Sequence, residues 1–161
     1  MKIRHLAAIL ILINLSVLAK PIVSEKGVIS IKPGESFYIQ FDKTGNLLTN
    51  PTVVTEMKEK KPCVFIQCAS SFPDLMVVPK NPNSLLTFMI KEQPNMTILL
   101  IQKNVKEVVQ YKCRVLPKGK SKFESRRNLP LEMGFPMLEN YPEKLDVIQL
   151  SNFQLSSSDT K

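Results

Sequence analysis

Apolar and polar positions between residues 28 and 116 alternate in short runs, and turn residues separate the runs at roughly eight-to-twelve-residue spacing. Ser36–Phe41 is the clearest run, with Phe37, Ile39 and Phe41 on one face and Tyr38 and Gln40 on the other. Val28–Lys32 forms a strand before it, closed by Pro33-Gly34, and Lys43-Thr44-Gly45-Asn46 reads as the turn after it. A short strand starts at Val53 and Val54, and Glu56–Lys61 is a charged connection. Cys63–Ala69, Leu75–Val78, Leu85–Lys91, Met96–Lys103 and Val105–Leu116 complete the set. Leu85–Ile90 and Met96–Ile101 are apolar on both faces, which suits doubly covered strands or a patch that meets a partner. Pro94 in the turn Glu92-Gln93-Pro94-Asn95 breaks any helix across them.

The pattern predicts an all-β fold, an immunoglobulin-like β-sandwich of seven to eight short antiparallel strands over residues 20–116. From Pro117 the character changes. Lys118, Lys120, Lys122, Arg126 and Arg127 make a basic run, and Pro130, Pro136 and Pro142 then punctuate a stretch with scattered apolar residues. Residues 117–161 read as an extended C-terminal arm with a short element at Leu145–Leu150 and a polar end. A surface-packed or disordered tail is the plainer alternative. Leu129, Leu131, Met133, Phe135, Met137 and Leu138 exceed what a solvated linker needs, so they are the candidate partner-binding residues.

The N-terminal nineteen residues form a separate unit. Lys2 and Arg4 precede an uncharged, mostly apolar stretch from Leu6 to Ala19, with small residues Val17 and Ala19 before a cleavage point. That order is a secretory signal peptide. As a helix the stretch spans about 21 Å, short of the roughly 30 Å hydrocarbon core, so no stable membrane span is expected. The expected mature chain begins at Lys20 and lies in the periplasm or outside the cell, in an oxidising compartment. Losing Lys2 and Arg4 lowers the formal charge from +8 to +6, which favours acidic partners. No aromatic-interleaved basic stripe points to nucleic acid.

Composition narrows the chemistry further. The only histidine among the 161 residues is His5, so the mature chain has none. That removes most triad and acid–base schemes and leaves a catalytic cysteine without its usual base. The five glycines are isolated, so no phosphate loop exists. The carboxylate pairs Glu56/Glu59 and Glu139/Glu143 sit among lysines or prolines and read as solvated charge. The expectation is a non-enzyme without cofactor or metal.

Three cysteines remain. Cys113 shares the apolar face of its strand with Val109, Tyr111 and Val115, and Cys68 shares one with Val64 and Ile66. Cys63 and Cys68 are about 16 Å apart in an extended strand, beyond the roughly 7 Å that a disulfide spans. The predicted bridge is Cys68–Cys113, with Cys63 free or joining two chains into a homo-oligomer; three reduced, buried thiols are the alternative. Closing that loop would stabilise the fold by roughly 4 kcal/mol. Asn95-Met96-Thr97 is a glycosylation sequon at a turn, which matters if the source is a eukaryote.

Two resemblances add to this. Tyr111-Lys112-Cys113 resembles the Tyr-x-Cys of immunoglobulin strand F, but no Trp is present and both other cysteines lie too near. Residues 28–116, with VISIKPGESFYIQF, NPTVV, TILLI and VVQYKCRV in order, are similar to the small N-terminal β-domain of pilus-formation and secretin proteins. They are also similar to periplasmic secretin-like components of conjugative transfer. That family's Gly-Thr before the penultimate strand is Asn95-Met96-Thr97 here, so the glycine is missing. The resemblance implies a periplasmic assembly part of a pilus, secretion or conjugative-transfer apparatus, with no catalytic residues. The competing expectation is a secreted inhibitor or effector that binds a host or rival protein through loops at 73–83. A secreted eukaryotic factor glycosylated on Asn95 is the third.

Overall fold

The computed structural model describes residues 22–56, 85–132 and 136–156. Their regular structure is entirely β: β1 (Ile22–Val23), β2 (Ile29–Ile31), β3 (Ser36–Thr44), β4 (Leu47–Glu56), β5 (Leu85–Gln93), β6 (Met96–Asn104), β7 (Val108–Pro117), β8 (Glu124–Arg126), β9 (Met137–Tyr141) and β10 (Leu145–Ser156). All pairings are antiparallel, in one continuous sheet. The order runs β1-β2-β10-β4-β3-β5-β6-β9, with β7 on β10 and β8 on β7.

Local chemistry sets the hairpins. Thr44 faces Leu47 across a two-residue loop, and Gly45 supplies the positive φ of 58° there. Gln93 faces Met96 across Pro94-Asn95. In β3 the apolar face Phe37, Ile39 and Phe41 is buried as expected and Gln40 is exposed, but Tyr38 opposite them is buried too. The alternation expected in β7 holds, with Val109, Tyr111, Cys113 and Val115 turned inward and Gln110, Lys112 and Arg114 outward. The apolar hairpin behaves as doubly covered strands: Leu86 to Ile90 and Thr97 to Ile101 are buried on both faces.

The sheet curls so that one face of nearly every strand meets a single core. That core joins Ile29 and Ile31 of β2 to Phe37 of β3, Phe88 of β5, Leu99 of β6, Val115 of β7 and Ile148 of β10. The fold is thus all-β and sandwich-like, wound from one sheet.

The C-terminal stretch is where the structure departs from the sequence reading. It is no arm: β8, β9 and β10 belong to the sheet, and β10 pairs with β2, β4 and β7. Leu145, Ile148, Leu150, Phe153 and Leu155 of β10 are all core residues. Two bulges explain why the strand is hard to read. Register shifts between Leu145 and Val147 and between Ser151 and Gln154 stretch the inward spacing from two residues to three. Asn152, at φ 53°, sits in the second bulge. Phe153 then reaches Phe41 at 4.9 Å and Tyr111 at 6.0 Å between ring centroids. The three prolines fall between strands, not along an arm.

Candidate functional site

The curled sheet leaves a seam. On one side β9 pairs only with β6, and no other described strand lies along its second edge. On the other side β8 covers only Cys113 to Val115 of β7. Below it, Val109 and Leu131 exchange both backbone hydrogen bonds, at 3.0 and 2.8 Å. The amide of Asn128 donates to the carbonyl of Tyr111 at 2.9 Å, in place of a ladder bond.

Side chains from β7 and β9 cross the seam. The Tyr111 hydroxyl donates to Glu139 Oε1 at 2.6 Å, and the Tyr141 hydroxyl donates to Glu139 Oε2. Cys113 Sγ lies 3.3 Å from the Tyr141 hydroxyl. One carboxylate thus clasps two phenols. Burial, reinforced by the Glu139 charge, pushes the Tyr111 phenol well above its ordinary value. Burial also raises Tyr141, with Cys113 and Glu139 adding to it. The Cys113 thiol is pushed up to about 11, chiefly by burial, which keeps it protonated and a poor nucleophile. The sequence reading of Glu139 as solvated charge is therefore corrected. Its hydrogen-bond partner Tyr111 is 28 positions away, beyond any local pattern.

Outside this clasp lies a cleft of about 310 Å³. Arg126, Arg127, Asn128 and Leu129 form one lip, and Met137, Leu138 and Asn140 of β9 belong to the other. Arg126 is anchored to Glu124 at 2.9 Å and to Glu143. Leu129 is 68% exposed and Leu138 42% exposed, although both are leucines at a cleft mouth. The floor of the neighbouring hairpin is pinned by Thr97, whose buried Oγ1 accepts from the Leu145 amide at 3.0 Å.

The structure separates the six candidate partner-binding residues. Leu129, Met137 and Leu138 come together at the cleft. Leu131 is 3% exposed and packs in the core, because its bridge to Val109 turns it inward. Met133 and Phe135 lie outside the described residues, as do the N-terminal nineteen residues and the 73–83 loops. Cys63 and Cys68 lie there too, so the Cys68–Cys113 pairing falls outside the described residues. Asn95 is exposed at the β5–β6 turn. Among the described residues no helix is long and apolar enough to cross a membrane, and no group of three His, Cys, Asp or Glu could hold a metal. The β9 edge, unpaired among the described residues, is the feature that sequence reasoning missed.

Comparison with protein-family models, with curated proteins and with solved structures finds no match.

Proposed function

We propose that this protein is an exported, non-enzymatic binding module that captures a partner polypeptide at the seam, by strand addition to β9. One observation carries the reading: two exposed leucines, Leu129 and Leu138, flank a cleft beside a strand edge that no other described strand pairs with. An unpaired edge offers backbone donors and acceptors, and flanking apolar side chains add burial and side-chain selectivity. The buried, clasped state of Cys113 supports a structural role for that residue. The signal-peptide pattern of residues 1–19 and the secretin-like pattern of 28–116 direct the search for the partner to envelope assembly, secretion or conjugative-transfer components.

The test is co-purification of the full chain from its own cells after fractionation. The mature protein is expected in the periplasm or the medium, starting at Lys20. A partner recovered with the wild type should be lost from Leu129→Ser/Leu138→Ser, which alters only exposed positions. Equal recovery from both would remove the seam from the reading.

A further inference from the structure

A second surface stands apart from the seam. Alternation along β7 sends Lys112 and Arg114 outward from the sheet, both exposed. Arg114 lies opposite Ser125 of β8. On the other flank, β10 sets Gln149 opposite Arg114 and Ser151 opposite Lys112. Directly opposite residues of an antiparallel pair share a face, about 5 Å apart, and alternate residues on one strand are about 7 Å apart. Two cations, Lys112 and Arg114, therefore stand on one face, flanked by Ser125 on one side and by Gln149 and Ser151 on the other, and the Gln149 amide donates to Ser30 Oγ at 3.3 Å. The Arg114 guanidinium is seated 5.3 Å from the Phe123 ring centroid. Lys122 adds an exposed charge next to that ring.

The acidic groups nearby are already engaged elsewhere. Glu124 pairs with Lys120 at 2.8 Å and with Arg126, on the inward side opposite Val115. Asp146, at the far end of the face, accepts from the Gly119 amide at 3.3 Å. Neither lies opposite Lys112 or Arg114 in the sheet register.

We propose that this outer face of β8, β7 and β10 binds an acidic polysaccharide, with Lys112 and Arg114 meeting its anionic groups and Ser125, Gln149 and Ser151 its hydroxyls. Charge complementarity selects a polyanion. The rest of the face selects among polyanions. Its one aromatic ring is taken by Arg114, so bases have no stacking platform. None of the large apolar side chains exposed among the described residues belongs to β7, β8 or β10, so the face offers no such side chain to a bilayer. Hydroxyl and amide groups on both flanks of the two cations suit a chain that carries both charges and hydroxyls. This inference is independent of the seam and survives its failure.

The experiment measures binding of the full chain to polygalacturonate and to dextran sulfate at 0.15 M salt. Neutral dextran, poly-L-glutamate and phosphatidylglycerol vesicles serve as comparison ligands. Lys112→Gln/Arg114→Gln is set against Lys26→Gln/Lys106→Gln, which removes the same charge from exposed turns elsewhere. The face double is expected to weaken binding of an acidic polysaccharide about tenfold or more, and the turn double less than about threefold. Both doubles should still unfold cooperatively, the turn double at the wild-type urea midpoint and the face double slightly below it, because Arg114→Gln removes the contact with Phe123. Equal weakening by the two doubles would show net charge alone at work and overturn the proposal. So would no binding to either polysaccharide, or dependence on Lys112 and Arg114 only for poly-L-glutamate or the vesicles.

Discussion

At the residue scale the seam is held by Glu139. Each of its oxygens accepts from one buried phenol, so replacing it leaves a donor without its acceptor. Glu139→Gln keeps the volume but turns one oxygen into a donor facing a hydroxyl. Chemical denaturation should show a loss of about 1–3 kcal/mol, the usual range for orphaning a buried polar group. An unchanged urea midpoint would mean that the clasp does not bear on stability. The tyrosines give a second readout. All three, Tyr38, Tyr111 and Tyr141, have phenol values raised in the folded state, chiefly by burial. A raised value means that the folded state holds its proton more tightly than the unfolded chain. The stabilisation is complete below the unfolded value near 10 and is lost as pH rises above it. Ultraviolet titration should therefore show little tyrosinate until alkaline unfolding, with both transitions together. Early tyrosinate absorbance with the fold intact would contradict this. Sequence made half of this cluster legible: period two put Tyr111 and Cys113 inward, but nothing local tied them to Glu139 or Tyr141.

At the element scale β10 decides the fold. It joins β2 and β4 to β7, and its last residues cap the β3–β4 hairpin through the Leu155 amide, which donates to the Asn46 carbonyl at 2.7 Å. Leu150 is wholly buried between β2 and β7. Leu150→Ala should cost about 2–5 kcal/mol in urea unfolding. A chain ending before Leu145 should lack the cooperative transition altogether, whereas an arm would have been dispensable. β7 was readable from sequence because every inward position from Val109 to Val115 is two residues from the next, and β3 was readable on its apolar face although Tyr38 opposite it is buried too. β10 was not, because two bulges break that period and a proline-punctuated stretch precedes it. The hairpin of β5 and β6 was readable as doubly covered for the opposite reason: over Leu85–Ile90 and Met96–Ile101 only Thr87 and Thr97 are polar.

At the scale of the whole molecule, the described strands form one antiparallel sheet that curls around one core without closing. Among them the second edge of β9 and its cleft stay open, and the outer face of β7 and β8 is charged. The basic composition was plain in the sequence, but its placement depended on strand register. The candidate partner-binding stretch was half legible. Apolar residues from Leu129 to Leu138 stood out, yet only the fold shows that Leu131 packs inward while Leu129 and Leu138 converge at the seam.

The central claim is that a partner strand docks at that seam. Its most direct test is site-specific photo-crosslinking in cells that export the full chain, with benzoylphenylalanine placed at Leu129 or Leu138. The same photoreactive group at Leu47 or Val54, also exposed apolar positions, is the comparison. Adducts of one common mass from the two seam positions, absent from Leu47 and Val54, are expected. No adduct at the seam, or the same adduct in equal yield from all four positions, would contradict the account.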